Sequence, residues 1–190
     1  MAEKYAVANG NWSNPATWNG GTLPGNEDDV YANGKTVTID IDLVGSYSVL
    51  SIRTTAGSTA AAGGTFRITA SRTIEFVAGG SGIVAGTTAC VRLTHTTGSV
   101  TINGDVTGGS NNYAYGLWND SKGSVTVTGN VTGGSSNDAY GIVNASTGSV
   151  TINGDVTGGS NNYAYGLWND SKGSVTVTGN VTGGSSNDAY

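Results

Sequence analysis

The sequence predicts an all-β fold, a right-handed parallel β-helix: a three-sided solenoid of about 25 residues per coil behind an atypical N-terminal cap. Three observations predict it. Gly98, Gly123, Gly148 and Gly173 each open a Gly-Ser-Val-Thr-(Ile/Val) segment, so one motif recurs at a constant interval. Within a unit the apolar residues fall in three short bursts, Val100 with Ile102, then Val106, then the run Tyr113 to Trp118. Asn-Gly, Gly-Gly-Ser and Asp-Ser-Lys turn chemistry separates them. Third, 32 of 190 residues are Gly and only 2 are Pro, and the apolar content is mostly Val, Ile, Ala, Tyr and Trp. Branched and aromatic side chains suit a pleated surface, and no stretch carries the helical apolar period of about 3.6 residues.

Taken in chain order, residues 1–60 read as a capping region, because an uncovered first coil would expose core and strand edges. Inside it Lys35–Asp42 alternates, with Val37, Ile39 and Ile41 on one face. Residues 61–97 read as divergent coils: Thr65–Thr69, Thr73–Phe76, and Ala89–Leu93, which stands one repeat length before Ala114–Trp118. The repeats proper are 98–122, 123–147, 148–172 and an incomplete 173–190, and residues 97–140 recur unchanged as 147–190. The chain stops at Tyr190 where the equivalent Tyr140 runs on into Gly-Ile-Val-Asn, so a longer array is expected.

Coils stacked at roughly 4.8 Å align Val100, Val125, Val150 and Val175 in one inner row and Ile102, Val127, Ile152 and Val177 in another. Asn119, Asn144 and Asn169 align as an asparagine ladder at a corner. The position of Asp105 reads Asp, Asn, Asp, Asn through Asn130, Asp155 and Asn180, which keeps carboxylates from stacking directly.

Thirteen acidic against eight basic residues leave a net charge of −5, which repels nucleic-acid phosphates and anionic lipid. No apolar run reaches membrane-spanning length, and Met1–Tyr5 lacks the pattern of a signal peptide. The single Cys90 has no disulfide partner in the chain, and with the single His95 it makes too small an inventory for structural zinc. No cofactor is expected.

No motif surrounds His95 or Cys90 that would make either a catalytic group. Asp105 and Asp155, two coils apart, fall near the roughly 6.5–9.5 Å that suits inverting glycoside hydrolysis. Yet acidic residues in the repeats recur with the period, as do Asp120 with Asp170 and Asp138 with Asp188. A repeated row gives each member nearly one environment, whereas an acid and base pair needs two. The expectation is therefore not an enzyme. Threonine rows such as Thr101 with Thr126 and Thr107 with Thr132 resemble those of ice-binding solenoids but are interrupted by Asp, Asn and Gly. The sequons at Asn11, Asn119, Asn130, Asn144, Asn169 and Asn180 follow from composition, and the calcium-binding nonapeptide of toxin-type β-rolls is absent.

The third burst is anomalous, because both its faces are apolar. If Ala114, Gly116 and Trp118 point inward, then Tyr115, Tyr140, Tyr165 and Tyr190 with Leu117, Ile142 and Leu167 form an outward stripe. The opposite assignment puts Trp118 and Trp168 outside. Either way the candidate self-association stripe is drawn from Tyr115, Leu117, Trp118, Tyr140, Ile142, Tyr165, Leu167 and Trp168, unless loops or the next turn cover it.

The stretch Asn11-Trp-Ser-Asn-Pro-Ala-Thr-Trp-Asn-Gly-Gly-Thr-Leu-Pro-Gly-Asn-Glu-Asp-Asp-Val-Tyr, continuing to Asp40, resembles the opening of G8-like β-helix domains. It is also similar to N-terminal parts of structural and fibre proteins of tailed phages, with which the Gly-Asn-Val-Thr-Gly-Gly repeats agree. The match spans residues 11–55. The resemblance implies an extracellular, cell-surface or virion-surface rod, and makes Trp18, Pro24, Asp28 and Asp29 cap-forming residues. Read from the residues alone, Trp18 covers the first coil and Gly25–Asp29 is a turn before a strand, with a calcium site at Glu27, Asp28 and Asp29 as the less favoured alternative.

The expected function is a structural component of an extracellular or virion fibre that self-associates, as a trimer or filament, through the apolar stripe. One alternative is a carbohydrate- or receptor-binding adhesin or tail-fibre module that stacks host-surface glycans on exposed Tyr and Trp. Another is a β-helix polysaccharide-degrading enzyme.

Overall fold

The computed structural model describes residues 2–86, 89–94, 98–170 and 172–185. They form a parallel three-sheet solenoid of about seven turns. The first face stacks Ala2–Tyr5, Asp28–Tyr31, Ser51–Arg53, Gly82–Val84, Val106–Thr107, Val131–Thr132, Val156–Thr157 and Val181–Thr182. The second stacks Gly10–Asn11, Thr36–Thr38, Thr65–Ile68, Val91–Leu93, Leu117–Asn119, Ile142–Asn144 and Leu167–Asn169. The third stacks Arg72–Glu75, Ser99–Asn103, Ser124–Val127, Val150–Ile152 and Val175–Val177. Among the described residues helix is confined to three short 3₁₀ turns, none long and apolar enough to cross a membrane.

Inside, β-branched side chains lie row on row. Val30, Ile52, Ile83, Val106, Val131, Val156 and Val181 align on the first face. Ile74, Ile102, Val127, Ile152 and Val177 align on the third. In the second face Val37, Phe66, Val91, Leu117, Ile142 and Leu167 share one row. The neighbouring row changes chemistry along its length. It runs through Ile68 and Leu93, then becomes Asn119, Asn144 and Asn169. There Asn119 Nδ2 donates to Asn144 Oδ1 at 2.8 Å, and Asn144 Nδ2 to Asn169 Oδ1 at 2.9 Å. A buried amide is tolerated because the next coil always brings its partner, and the predicted ladder is present.

Coil spacing is constant throughout the repeats but uneven upstream, where the first face pairs Lys4 with Val30, Val30 with Ile52, Ile52 with Ile83 and Ile83 with Val106. One departure matters. The repeat interval set Leu93 beside Trp118, whereas the structure pairs Val91 with Leu117 and Arg92 with Trp118, so this coil is one residue longer than the repeat. A slip of one residue exchanges the faces of a strand, and here it keeps the Arg92 guanidinium out of the interior.

Within 1–60 the strands already join the same ladders, and the open end is covered by a compact group. Trp12 and Trp18 are fully buried with ring centroids 4.9 Å apart, edge to face, and Trp18 Nε1 donates to the Trp12 carbonyl at 2.8 Å. Asn14 caps the 3₁₀ turn Pro15–Thr17 that sets this angle. Lys4 occupies the register position next to Val30 and is buried, with Nζ donating to the Asn19 carbonyl at 2.8 Å and to Thr22 Oγ1 at 2.7 Å. Its alkyl stem caps the inner row while the ammonium is satisfied by the covering loop.

Candidate functional site

The segment before the third strand decides what the rod shows to its surroundings. Read as one strand, Tyr113 to Trp118 alternates; in the structure the strand begins only at Leu117. Gly109 N–H donates to the Ala114 carbonyl at 2.8 Å, turning the chain before it enters the sheet. Gly116 then passes so close to its neighbours that a Cβ there would meet Val106 Cγ1 at 2.5 Å and the Gly141 carbonyl at 2.7 Å. The phase changes at this point. Ala114 and Leu117 face in, while Tyr115 and Trp118 face out together.

The expected stripe is therefore corrected. Leu117 and Ile142 are fully buried in the core and Leu167 packs against it, so these three leave the outward surface. What remains is a column of rings. Tyr115 stacks on Tyr140 at 5.3 Å, Tyr140 on Trp168 at 5.8 Å, and Tyr165 on Trp168 at 5.3 Å; Trp118 leans on Tyr115 at 5.1 Å. Val143 takes the tryptophan's place in the intermediate coil. The column covers itself: Tyr115 and Tyr140 are only 8% and 9% exposed. Burial, reinforced by the hydrogen bond of Tyr140 to Asp138 at 3.0 Å, holds that phenol above its ordinary pKa. Tyr113, Tyr163 and Trp168 remain open, and Tyr190 and His95 lie outside the described residues.

Towards the N-terminal end the column stops against small residues. Ala89 stands two positions before Val91, as Tyr115 stands two before Leu117, and Gly64 stands two before Phe66 in the same ladder. At Gly64 the backbone has φ +89°, and a Cβ would lie 2.4 Å from the Lys35 carbonyl oxygen, so no side chain fits. The vacated space is a groove of about 690 Å³. Tyr113, Tyr115 and Trp118 line it with Arg67, Arg92 and Thr65.

The two arginines are register partners on adjacent strands. Arg92 Nε donates to Asp120 Oδ2 at 2.9 Å and Nη2 forms an ion pair with the same carboxylate, while the guanidinium carbon lies 5.6 Å from the centre of the Trp118 ring. Trp118 Nε1 donates to Asp120 Oδ1 at 2.7 Å, so one carboxylate orients both. Arg67 is exposed, and its guanidinium makes no hydrogen bond or ion pair among the described residues. The residue-by-residue reading missed this site. The signal was present all the same, since Arg67 and Arg92 stand one repeat length apart.

Trp18 and Pro24 are buried at the capped end. Asp28 and Asp29 begin a strand instead of belonging to the preceding turn. Asp28 accepts the Gly25 N–H at 2.9 Å, and Asp29 takes the Ser51 hydroxyl and the Arg53 guanidinium, the latter at 3.3 Å. Among the described residues no group of three or more His, Cys, Asp or Glu is placed to hold a metal ion. Asp105 and Asp155 each accept a backbone N–H of the following coil. Asp188 lies outside the described residues. Cys90 is fully buried, and burial pushes its thiol up to about 12.

Comparison with known proteins found no matching family model, no matching curated protein and no matching solved structure. What stands is the architecture itself: a parallel three-sheet β-solenoid of about seven turns, built from coils of about 25 residues.

Proposed function

We propose that this chain is a structural rod, a stiff and extendable segment of a fibre or appendage on the outside of a cell or virion. The observation that supports this reading most directly is the register. From Ser99 onward each coil meets its successor exactly one repeat length on, Val on Val, Thr on Thr, Asn on Asn. Such an array grows by duplication without any new interior to design. The likeness of residues 11–55 to G8-like and tailed-phage fibre openings supports the same placement.

Catalysis is a poorer account of the acidic rows, because Asp105 and Asp155 are engaged with backbone N–H groups of the next coil. Side-by-side association into a trimer or filament is part of the proposal, through Tyr163 and Trp168, which the ring column leaves open.

The test of the rod is to insert a second copy of residues 98–147 and measure length by small-angle scattering. Two added coils at roughly 4.8 Å each lengthen the particle by about 10 Å at constant cross-section, with no loss of melting temperature. A wider particle, or one that melts earlier, contradicts the reading. Sedimentation velocity at high concentration tests association: a monodisperse monomer removes the lateral contact.

A further inference from the structure

The groove at the head of the ring column has features that a spacer rod does not require. Its volume of about 690 Å³ lies within the roughly 300–1,000 Å³ typical of small-ligand sites. Its charge is unusual for this chain. Arg67 and Arg92 sit directly opposite one another on neighbouring strands, an arrangement that like charges disfavour. Of the two, only Arg92 has a carboxylate partner among the described residues, Asp120, so the groove keeps one positive charge in a protein of net charge −5.

Its aromatic wall is equally particular. Tyr113 has φ +62° and is 63% exposed. That left-handed backbone belongs to the turn, since Asp138 and Tyr163 share it at the equivalent places; what it gives this coil is a ring held beside the groove. The alternate coil has Asp138 at the equivalent place, a residue type that adopts the conformation more readily. Tyr163 repeats Tyr113 two coils away, far along the ladder from both arginines.

We infer that this groove binds an acidic saccharide, a short run of uronic acid residues, with a carboxylate on Arg67 and a sugar face against Tyr113. The match is one of kind and order. A pyranose offers a C–H face to a flat ring, hydroxyls at its rim, and in uronic acids a carboxylate. The groove offers Tyr113, the hydroxyls of Thr36 and Thr65, and the Arg67 guanidinium. Thr65 already donates its proton to the Ala89 carbonyl, which leaves its lone pairs to accept from a sugar hydroxyl. The Asp120 carboxylate fixes Trp118 and Arg92 as a rigid back wall, so little order has to be imposed on binding. An acidic peptide would satisfy Arg67 but bring no C–H face to Tyr113. The inference is independent of the rod reading, since a monomer of any length would keep the site.

The experiment is calorimetric titration of the full chain with tetramers of galacturonic, mannuronic and guluronic acid, alongside their methyl esters, sodium sulfate and tetraglutamate. Saturable binding of at least one uronate tetramer is expected, weaker by about tenfold or more for its ester and for Arg67→Gln, the worth of one charge-assisted contact. Tyr113→Ala should weaken it as well, and Tyr163→Ala should not. Both arginine and tyrosine are exposed, so circular dichroism of the variants is expected to match the parent. No saturation with any of the three uronates overturns the inference. So does an ester that binds as well as the acid, sulfate or tetraglutamate at equal affinity, or an Arg67→Gln variant that binds unchanged.

Discussion

The carboxylate of Asp105 accepts the backbone N–H of Asn130 at 2.7 Å, and one coil later Asn130 does the same with its amide oxygen for the N–H of Asp155, at 2.9 Å. Asp155 continues the series to Asn180 at 2.7 Å. Every coil needs an oxygen at this corner, and alternate coils supply it without a charge. Asn130→Asp keeps the acceptor and stacks three carboxylates. The expected cost is about 1 kcal/mol at neutral pH and low salt, seen as a lower melting temperature that added salt brings back towards the parent value. Equal melting at pH 7 contradicts the role assigned to the alternation.

The asparagine ladder is more costly to interrupt. Asn144 is fully buried between Asn119 and Asn169, donating to one and accepting from the other. Asn144→Ala strands a buried donor on Asn119 and a group on Asn169, at an expected cost of about 2 kcal/mol or more. Urea denaturation checks it: the midpoint falls while the slope stays constant.

At the capped end Trp18 contributes a whole buried side chain. Trp18→Ala is expected to destabilise by about 3–5 kcal/mol, and in a solenoid the loss is local first. Hydrogen exchange should show the first coils deprotected while Val125–Val127 and Val150–Ile152 keep their protection. Uniform loss along the chain would contradict a local cap.

Glu3 makes a pH-sensitive contact at the same end. Its carboxylate accepts the N–H groups of Ser58 and Thr59, the latter at 2.8 Å, and these bonds hold its pKa at about 2 instead of 4.5. A depressed folded-state pKa means that the stabilisation is present above pH 4.5 and is lost as the pH falls towards 2. Amide signals of Ser58 and Thr59 should report release in that window. Glu3→Gln removes this transition and leaves the rest of the acid titration in place.

Cys90 donates its thiol to the Ile52 carbonyl at 3.4 Å, and its pKa of about 12 leaves almost no thiolate at neutral pH. Labelling by iodoacetamide in the native protein is expected to proceed only at the rate of local opening. Fast labelling without denaturant would place the sulfur elsewhere.

The repeat region was legible in the sequence because identical residues occupy identical ladder places, so period alone sets Val100 on Val125 and Asn119 on Asn144. The ring column was only half legible. Alternation read from Trp118 back to Tyr113 runs across Gly116, where the backbone changes phase, so it puts Tyr115 and Leu117 on one face, whereas the structure sends Leu117 into the core and Tyr115 into the ring column. The groove was less legible still, since it depends on the lengthened coil that pairs Arg92 with Trp118 and on the small Ala89 and Gly64 that end the column. Absences of bulk seldom announce themselves in a string of letters.

Residues 97–140 and 147–190 are the same string, and that identity leaves the nascent chain with a counting problem. Val150–Ile152 could dock where Ser99–Asn103 belongs, beside Arg72–Glu75, and meet every neighbour it expects; the skipped pair of coils would merely bulge out, at a closure cost that grows slowly with loop size. Energy differences between the repeats cannot forbid such a frameshift. Order of arrival can. The unequal upstream coils and the Trp12–Trp18–Lys4 plug occur once each in this sequence, emerge from the ribosome before the repeats, and present a single unoccupied edge. Growth from that seed is a ratchet in which each coil is consumed as template before its twin exists, so the tally of identical parts is kept by time.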